Sequence, residues 1–247
     1  MPYFAPRTLV RRVLSVATLL LGLVPASHAA APSGDLAAAL VKAAPAANPQ
    51  VIALATRALQ CVQKAMPART LSVIDYSRPS SQPRLWVFDL TRRTLLFKEL
   101  VAHGRNSGNE LATHFSNAPG SLMSSLGTFV TDGTYEGHNG YSLRLKGLDG
   151  HFNDNAESRA IVIHGASYVS PMFAASEGRI GRSWGCPAVR RDVAKRLIDT
   201  IKDRSVVFAY YPDPKWLKQS PTLGDCGSEV TASLGRGEAP RRALMSP

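Results

Sequence analysis

A chain of 247 residues with 29 Lys and Arg against 18 Asp and Glu, a net charge of +11, has room for one well-buried domain with tails. That basicity suits an acidic envelope polymer or an anionic membrane face. The chain lacks the interleaved aromatic and basic residues of a nucleic-acid binder, so no nucleic-acid partner is expected.

Arg7, Arg11 and Arg12 precede the apolar run VLSVATLLLGLV, Val13 to Val24, and small residues follow in PASHAAAP. A charged start, an apolar middle and an A-x-A-like site make residues 1–29 a signal peptide, cleaved after Ala29. The run has 12 residues before Pro25, short of the roughly 20 that a membrane span requires. A periplasmic protein with no stable membrane span after cleavage is expected. Loss of three arginines leaves 26 basic against 18 acidic residues, a charge of +8.

Residues 30–47, rich in Ala and Pro, read as a linker with a short helix through DLAAALVKA. Over 48–67 Asn48 caps, Pro49 fits the first helical position, and Val51, Leu54, Ala55, Leu59 and Val62 recur at helical spacing. This N-terminal helix is expected to pack on the domain that begins near residue 70. SVIDY (72–76), RLWVFDL (84–90) and TLLFKELVAH (94–103) read as strands, the last two joined as a hairpin by TRR. GTFVT (127–131) and YSLRL (141–145) come next, separated by the turn formers of DGTYEGHNG. RAIVIHG (159–165) is a continuous apolar run, as in a central buried strand. Val193, Leu197, Ile198 and Ile201 share one face of a helix, and SVVFAYY (205–211) is the last strand. The polar 226–247 tail is expected to lack order. The domain over 70–215 is thus mainly β with peripheral α-helices.

Three cysteines in an exported chain leave one over after any single bridge. Pairing Cys61 with Cys226 closes a long loop, worth about 4–5 kcal/mol in the chain-entropy model, and leaves Cys186 free; three unpaired thiols are the alternative. A thiol attacks when its pKa falls or a base takes its proton. His164, at the end of a buried strand and 22 positions before Cys186, is the candidate base. A turn through Trp184, Gly185 and Cys186 offers backbone N–H groups to an oxyanion, with Ser183 bonding in the turn or supporting the imidazole. The bland readings are a buried thiol and a structural histidine. Zinc on His103, His114, His138, His151, His164 and Cys186 lacks the close spacing of a metal site, so neither metal nor cofactor is expected. A papain-like enzyme has its cysteine before its histidine. A chymotrypsin-like one has glycine after the nucleophile, where this chain has Pro187.

Four segments in order, LWVFDL with VAHGRNSG, SSLGTFVT, IVIHGASYVS and GRIGRSWGCPAV, resemble the YkuD-type L,D-transpeptidase catalytic domain, in its murein branch with the GRSWGCPA form. The resemblance runs from about Ser72 to Tyr211. It implies a YkuD-like bent β-sheet or sandwich, Cys186 as nucleophile, His164 as base, and the amides of Trp184, Gly185 and Cys186 as oxyanion hole. The implied reaction is acyl transfer between peptidoglycan stem peptides through a Cys thioester, giving 3→3 cross-links. L,D-carboxypeptidase activity from the same pair, or peptidoglycan binding without catalysis, are the alternatives. Most of the family has S-H-G-C and an arginine two residues later; here Trp184 and Ala188 stand there. Arg179, Arg182 and Arg190 are candidates to replace that arginine and, with Tyr168, to bind substrate. Arg105, Asn106, Ser107 and Tyr135 fit either a cleft or ordinary loop surface.

Overall fold

A computed structural model of the chain describes residues 1–3 and 33–235. Except for residues 1–3, the expected signal peptide lies outside the described residues, as does the tail beyond 235. Among the described residues no helix is long and apolar enough to cross a membrane.

Eight strands form one mixed sheet: β1 (Thr70–Asp75), β2 (Leu85–Asp89), β3 (Thr94–Glu99), β4 (Gly127–Gly137), β5 (Gly140–Gly147), β6 (Val162–Ala166), β7 (Ala188–Arg190) and β8 (Val206–Tyr210). Their order is β3-β2-β1-β8-β4-β5-β6-β7. β1 lies antiparallel to β2 and parallel to β8, so the first and last strands of the domain close its centre together. Both are buried almost throughout; β8 is an apolar run without alternation, whereas β1 also buries Thr70, Ser72 and Asp75. The mainly β architecture with peripheral helices is the one expected.

The helices cover this sheet. In α2 (Pro49–Gln63) Asn48 Oδ1 accepts from the Gln50 N–H at 2.9 Å, and Val51, Ile52, Ala55, Leu59 and Val62 are buried where the helix meets β1 and β8. In α4 (Arg191–Ile201) the predicted apolar face is buried, chiefly on β6. The 30–47 segment is less of a linker than expected: α1 (Ser33–Ala43) packs on α2 and β3 and buries Leu40 completely.

Other boundaries shift for physical reasons. β6 is the next-to-last strand rather than central, and its burial comes from α4. The turn formers of 132–140 continue β4 to Gly137, with only His138 and Asn139 left to turn, because an exposed hairpin tolerates polar residues in its strands. β3 ends at Glu99, which frees 100–103 to run toward β7. The stretch between His164 and Cys186, read as loop, contains α3 (Pro171–Glu177), capped by Ser170 Oγ and ended at left-handed Gly178. After β8, α5 (Pro214–Gln219) is anchored by buried Asp149, which accepts from Trp216 Nε1 and Ser220 Oγ at 2.8 and 2.6 Å. The tail expected to lack order is helical over α6 (Ser228–Gly235), with Val230 buried and α6 against α2. Cys61 and Cys226 form a disulfide with Cα atoms 5.3 Å apart, tying that tail to α2 across 165 residues.

Candidate active site

Cys186, the cysteine left free, is half-buried in the turn before β7. The turn is built from its own polar groups. Ser183 Oγ donates to the Cys186 carbonyl at 2.6 Å and accepts the Gly185 N–H at 3.1 Å. Ser183 N–H donates to the His103 carbonyl at 2.9 Å, and Arg105 N–H to the Ser183 carbonyl at 2.7 Å. Ser124 Oγ donates to the Gly185 carbonyl at 3.2 Å. Gly185 has φ 123°, and a Cβ there would lie 2.7 Å from the Met123 carbonyl oxygen, so only glycine makes this bend without strain.

The sulfur faces the start of β6. Val162 N–H donates to Sγ at 3.4 Å, and Sγ–H points to the Ala160 carbonyl at 3.6 Å. Ala160 is left-handed at φ 52° without being glycine, a strained residue touching the thiol. His164 pairs with Ala188 across β6 and β7. Cys186 comes two residues before Ala188, about 6–7 Å along a strand. The His164 ring is buried, and its Nδ1 lies 3.1 Å from the Gly165 carbonyl. A carbonyl only accepts, so Nδ1 carries the proton and Nε2 holds the free lone pair of a base. Burial pushes the thiol pKa up, against the Val162 N–H and the Arg159 charge, which lower it. Burial pushes the imidazole down. Both directions favour a neutral pair at rest over thiolate and imidazolium.

Of the expected site residues, Ser183, Trp184, Gly185 and Cys186 share one turn, and His164 lies on β6, two residues after the Val162 whose N–H donates to the Cys186 sulfur. Ser183 spends its hydroxyl inside the turn rather than on the imidazole. Gly185 gives its N–H to Ser183, which corrects its assignment to an oxyanion hole. The amides of Trp184 and Cys186 make no hydrogen bond among the described residues. Tyr168 lines a cleft of about 520 Å³ with His138, Tyr141, His164, Arg191 and Lys195. It fits there because Gly181, whose Cβ would strike the Tyr168 ring, has none. Cys186 is not on the cleft wall.

Arg190 is taken by Glu99 and Asp192 at 2.9 and 2.6 Å, so it is no free replacement for the family's arginine. Arg182 donates to the Gly108 carbonyl and Asn109 Oδ1, and Arg179 to the Ile180 carbonyl. Asn106 and Ser107 bond within the 104–124 loop, and Tyr135 lies beneath the Arg144 guanidinium on the β4–β5 hairpin. Among the described residues no three His, Cys, Asp or Glu side chains gather as a metal site would need.

Three groups near the site, Arg159, Arg84 and His103, have roles that the sequence did not suggest, His103 figuring there only among the histidines weighed for zinc. Half-buried Arg159 is held by the Ser116 and Met123 carbonyls at 2.8 and 2.7 Å and supports the thiolate electrostatically. No spacing in the sequence announces it; the 149–160 loop delivers it. Buried Arg84 donates to His103 Nδ1 at 2.7 Å, so His103 turns its Nε2–H to the Gly108 carbonyl at 3.3 Å. Burial and the Arg84 charge lower the His103 pKa to about 3. That neutral ring holds the backbone on which Ser183 hangs, and its place in VAHGRNSG was the one available signal.

The family model for the L,D-transpeptidase catalytic domain matches residues 43–210. An L,D-transpeptidase from Mycobacterium smegmatis is 14% identical, over 58% of this chain and 59% of that one, with a TM-score of 0.38. L,D-transpeptidase 1 from Mycobacterium tuberculosis is 12% identical over 58% and 62%, at 0.33. An L,D-transpeptidase from Stackebrandtia nassauensis is 14% identical over 74% and 92%, at 0.36. The chain spans less than two thirds of the length of the two mycobacterial structures. No curated protein matches.

Proposed function

The chain belongs to the L,D-transpeptidase catalytic-domain family, and from that premise we propose an exported, periplasmic acyltransferase that joins peptidoglycan stem peptides through Cys186. One observation carries the reading. Of three cysteines two are bonded to each other, and the third keeps its thiol in a rigid turn against β6, the strand that carries an imidazole whose Nδ1–H faces the Gly165 carbonyl.

The chemistry builds on that arrangement. Sγ forms a bond to the carbonyl carbon that links an L-configured centre to the terminal D-alanine, as His164 Nε2 takes the thiol proton. The Gly165 carbonyl stabilises the imidazolium through Nδ1–H, and the Trp184 and Cys186 amides receive the oxyanion. Arg159 and the Val162 N–H offset the charge on sulfur. When the C–N bond breaks, D-alanine leaves with the proton from the imidazolium, and a thioester remains. A side-chain amine of a second stem attacks it, gives its proton to His164, and displaces the sulfur as a 3→3 cross-link forms. The cleft reaching His164 suits that acceptor, with Arg191 to meet a carboxylate. Water in place of the amine makes the protein an L,D-carboxypeptidase.

Incubation with tetrapeptide stems separates the readings: dimers mean transfer, tripeptides alone hydrolysis, and unaltered tetrapeptide that co-sediments favours a binding protein. Intact mass shows a carbapenem adduct on the wild type and none on Cys186→Ala. An adduct persisting in that variant removes Cys186 from the mechanism.

A further inference from the structure

Trp184 has no role for its side chain in the reaction above, yet it is 73% exposed, whereas Trp86 and Trp216 are 1% and 0% exposed. The turn that displays it is pinned at Ser183 by His103 and Arg105, and at Gly185 by Ser183 and Ser124. A rigid indole next to the nucleophile loses little entropy on binding and offers a broad apolar face. Its flank is cationic. Arg182 lies against the Arg105 carbonyl at 3.2 Å, and burial and the like charges of Arg179 and Arg105 lower its pKa. Among the described residues none of these three arginines pairs with a carboxylate.

Building on the acyltransfer reading, we propose that this surface recognises the glycan-bearing form of the substrate, with a pyranose ring stacked on Trp184 and peptide carboxylates on Arg105, Arg179 and Arg182. The axial C–H groups of a pyranose carry partial positive charge and suit the negative face of an indole. One sugar ring needs only one aromatic face, whereas a protein partner needs a contiguous apolar patch. Among the described residues beyond residue 3, the other exposed large apolar side chains lie apart, Leu96 on β3, Leu111 in the loop before β4 and Met172 on α3.

The test uses the full chain carrying Cys186→Ala, which binds without turnover. Because Trp184 is the exposed tryptophan of the three, its emission and its quenching by acrylamide report occupancy directly. A disaccharide-tetrapeptide is expected to blue-shift the emission, protect it from acrylamide, and bind about tenfold tighter than the free tetrapeptide. Adding Trp184→Ala brings the two affinities together, and adding Arg105→Ala weakens both and flattens their salt dependence. Equal affinities with unchanged emission overturn the proposal, as does an equal shift from the free tetrapeptide, which places the peptide on the indole. If wild type still forms the carbapenem adduct in either case, the acyltransfer reading stands and the glycan assignment alone fails.

Discussion

Replacing Ser183 by alanine tests whether its hydroxyl builds the turn or takes part in the chemistry. Two groups lose their partner, the Gly185 N–H and the Cys186 carbonyl. An orphaned buried polar group costs about 1–3 kcal/mol. Cys186 is half-buried, so water can replace the donor to its carbonyl, but Gly185 is buried and its amide has no substitute. The expected loss of stability is therefore about 2–3 kcal/mol, read from the midpoint of urea unfolding at unchanged slope. If about 2 kcal/mol of turn order must be restored before attack, acylation by a carbapenem slows about thirtyfold. Ser183→Thr, which keeps an Oγ, recovers part of both losses. A Ser183→Ala protein within about 0.5 kcal/mol of wild type, yet inert to the carbapenem and with a shifted pH profile, would refute the reasoning. The hydroxyl would then act on the imidazole.

Burial holds the His164 pKa below 6.5, so the acid limb of the acylation rate is expected below pH 6.5, with the imidazole neutral and active above it. A limb above 6.5 means that the pair rests as thiolate and imidazolium, and an unchanged rate in His164→Ala retires it as base. His103 has a folded pKa of about 3 against an ordinary 6.5, so between those values the unfolded chain binds the extra proton. Its contribution to stability is complete above pH 6.5 and is lost as pH falls toward 3, on the order of 5 kcal/mol in all. Unfolding measured across that window should show a slope that His103→Gln flattens; an identical slope in the variant contradicts the assignment. Removing the Cys61–Cys226 bridge by paired serine substitutions frees a 165-residue loop and is expected to lower stability by about 2–5 kcal/mol while leaving carbapenem acylation at native conditions intact. Loss of the adduct in the still-folded variant would tie the bridge to the site.

The strands and the helix faces were legible because their information is local. The apolar run of 205–211, the capping of α2 by Asn48, and the buried stripe of α4 each depend on neighbours within a few residues. Cys186 and His164 stood out as candidates for a different reason: a thiol left over after one bridge and a histidine ending an apolar run are chemical oddities visible without coordinates. β7 and α3 were not, since three residues that pair with β6 and seven residues after a cap, none of them buried, carry almost no period.

What the sequence by itself determined is the β-rich frame and the candidates for the reactive atoms, both set by residue type and short-range spacing. Only the tertiary structure decided how those atoms are tuned. Arg159 reaches the site from a loop, Val162 lends a backbone N–H to the sulfur, and buried Arg84 keeps His103 neutral beneath Ser183. It also spends the Gly185 amide inside the turn and leaves the Trp184 indole exposed. Charge, burial and hydrogen-bond competition act through space between residues distant in the chain, and no spacing along the chain encodes them.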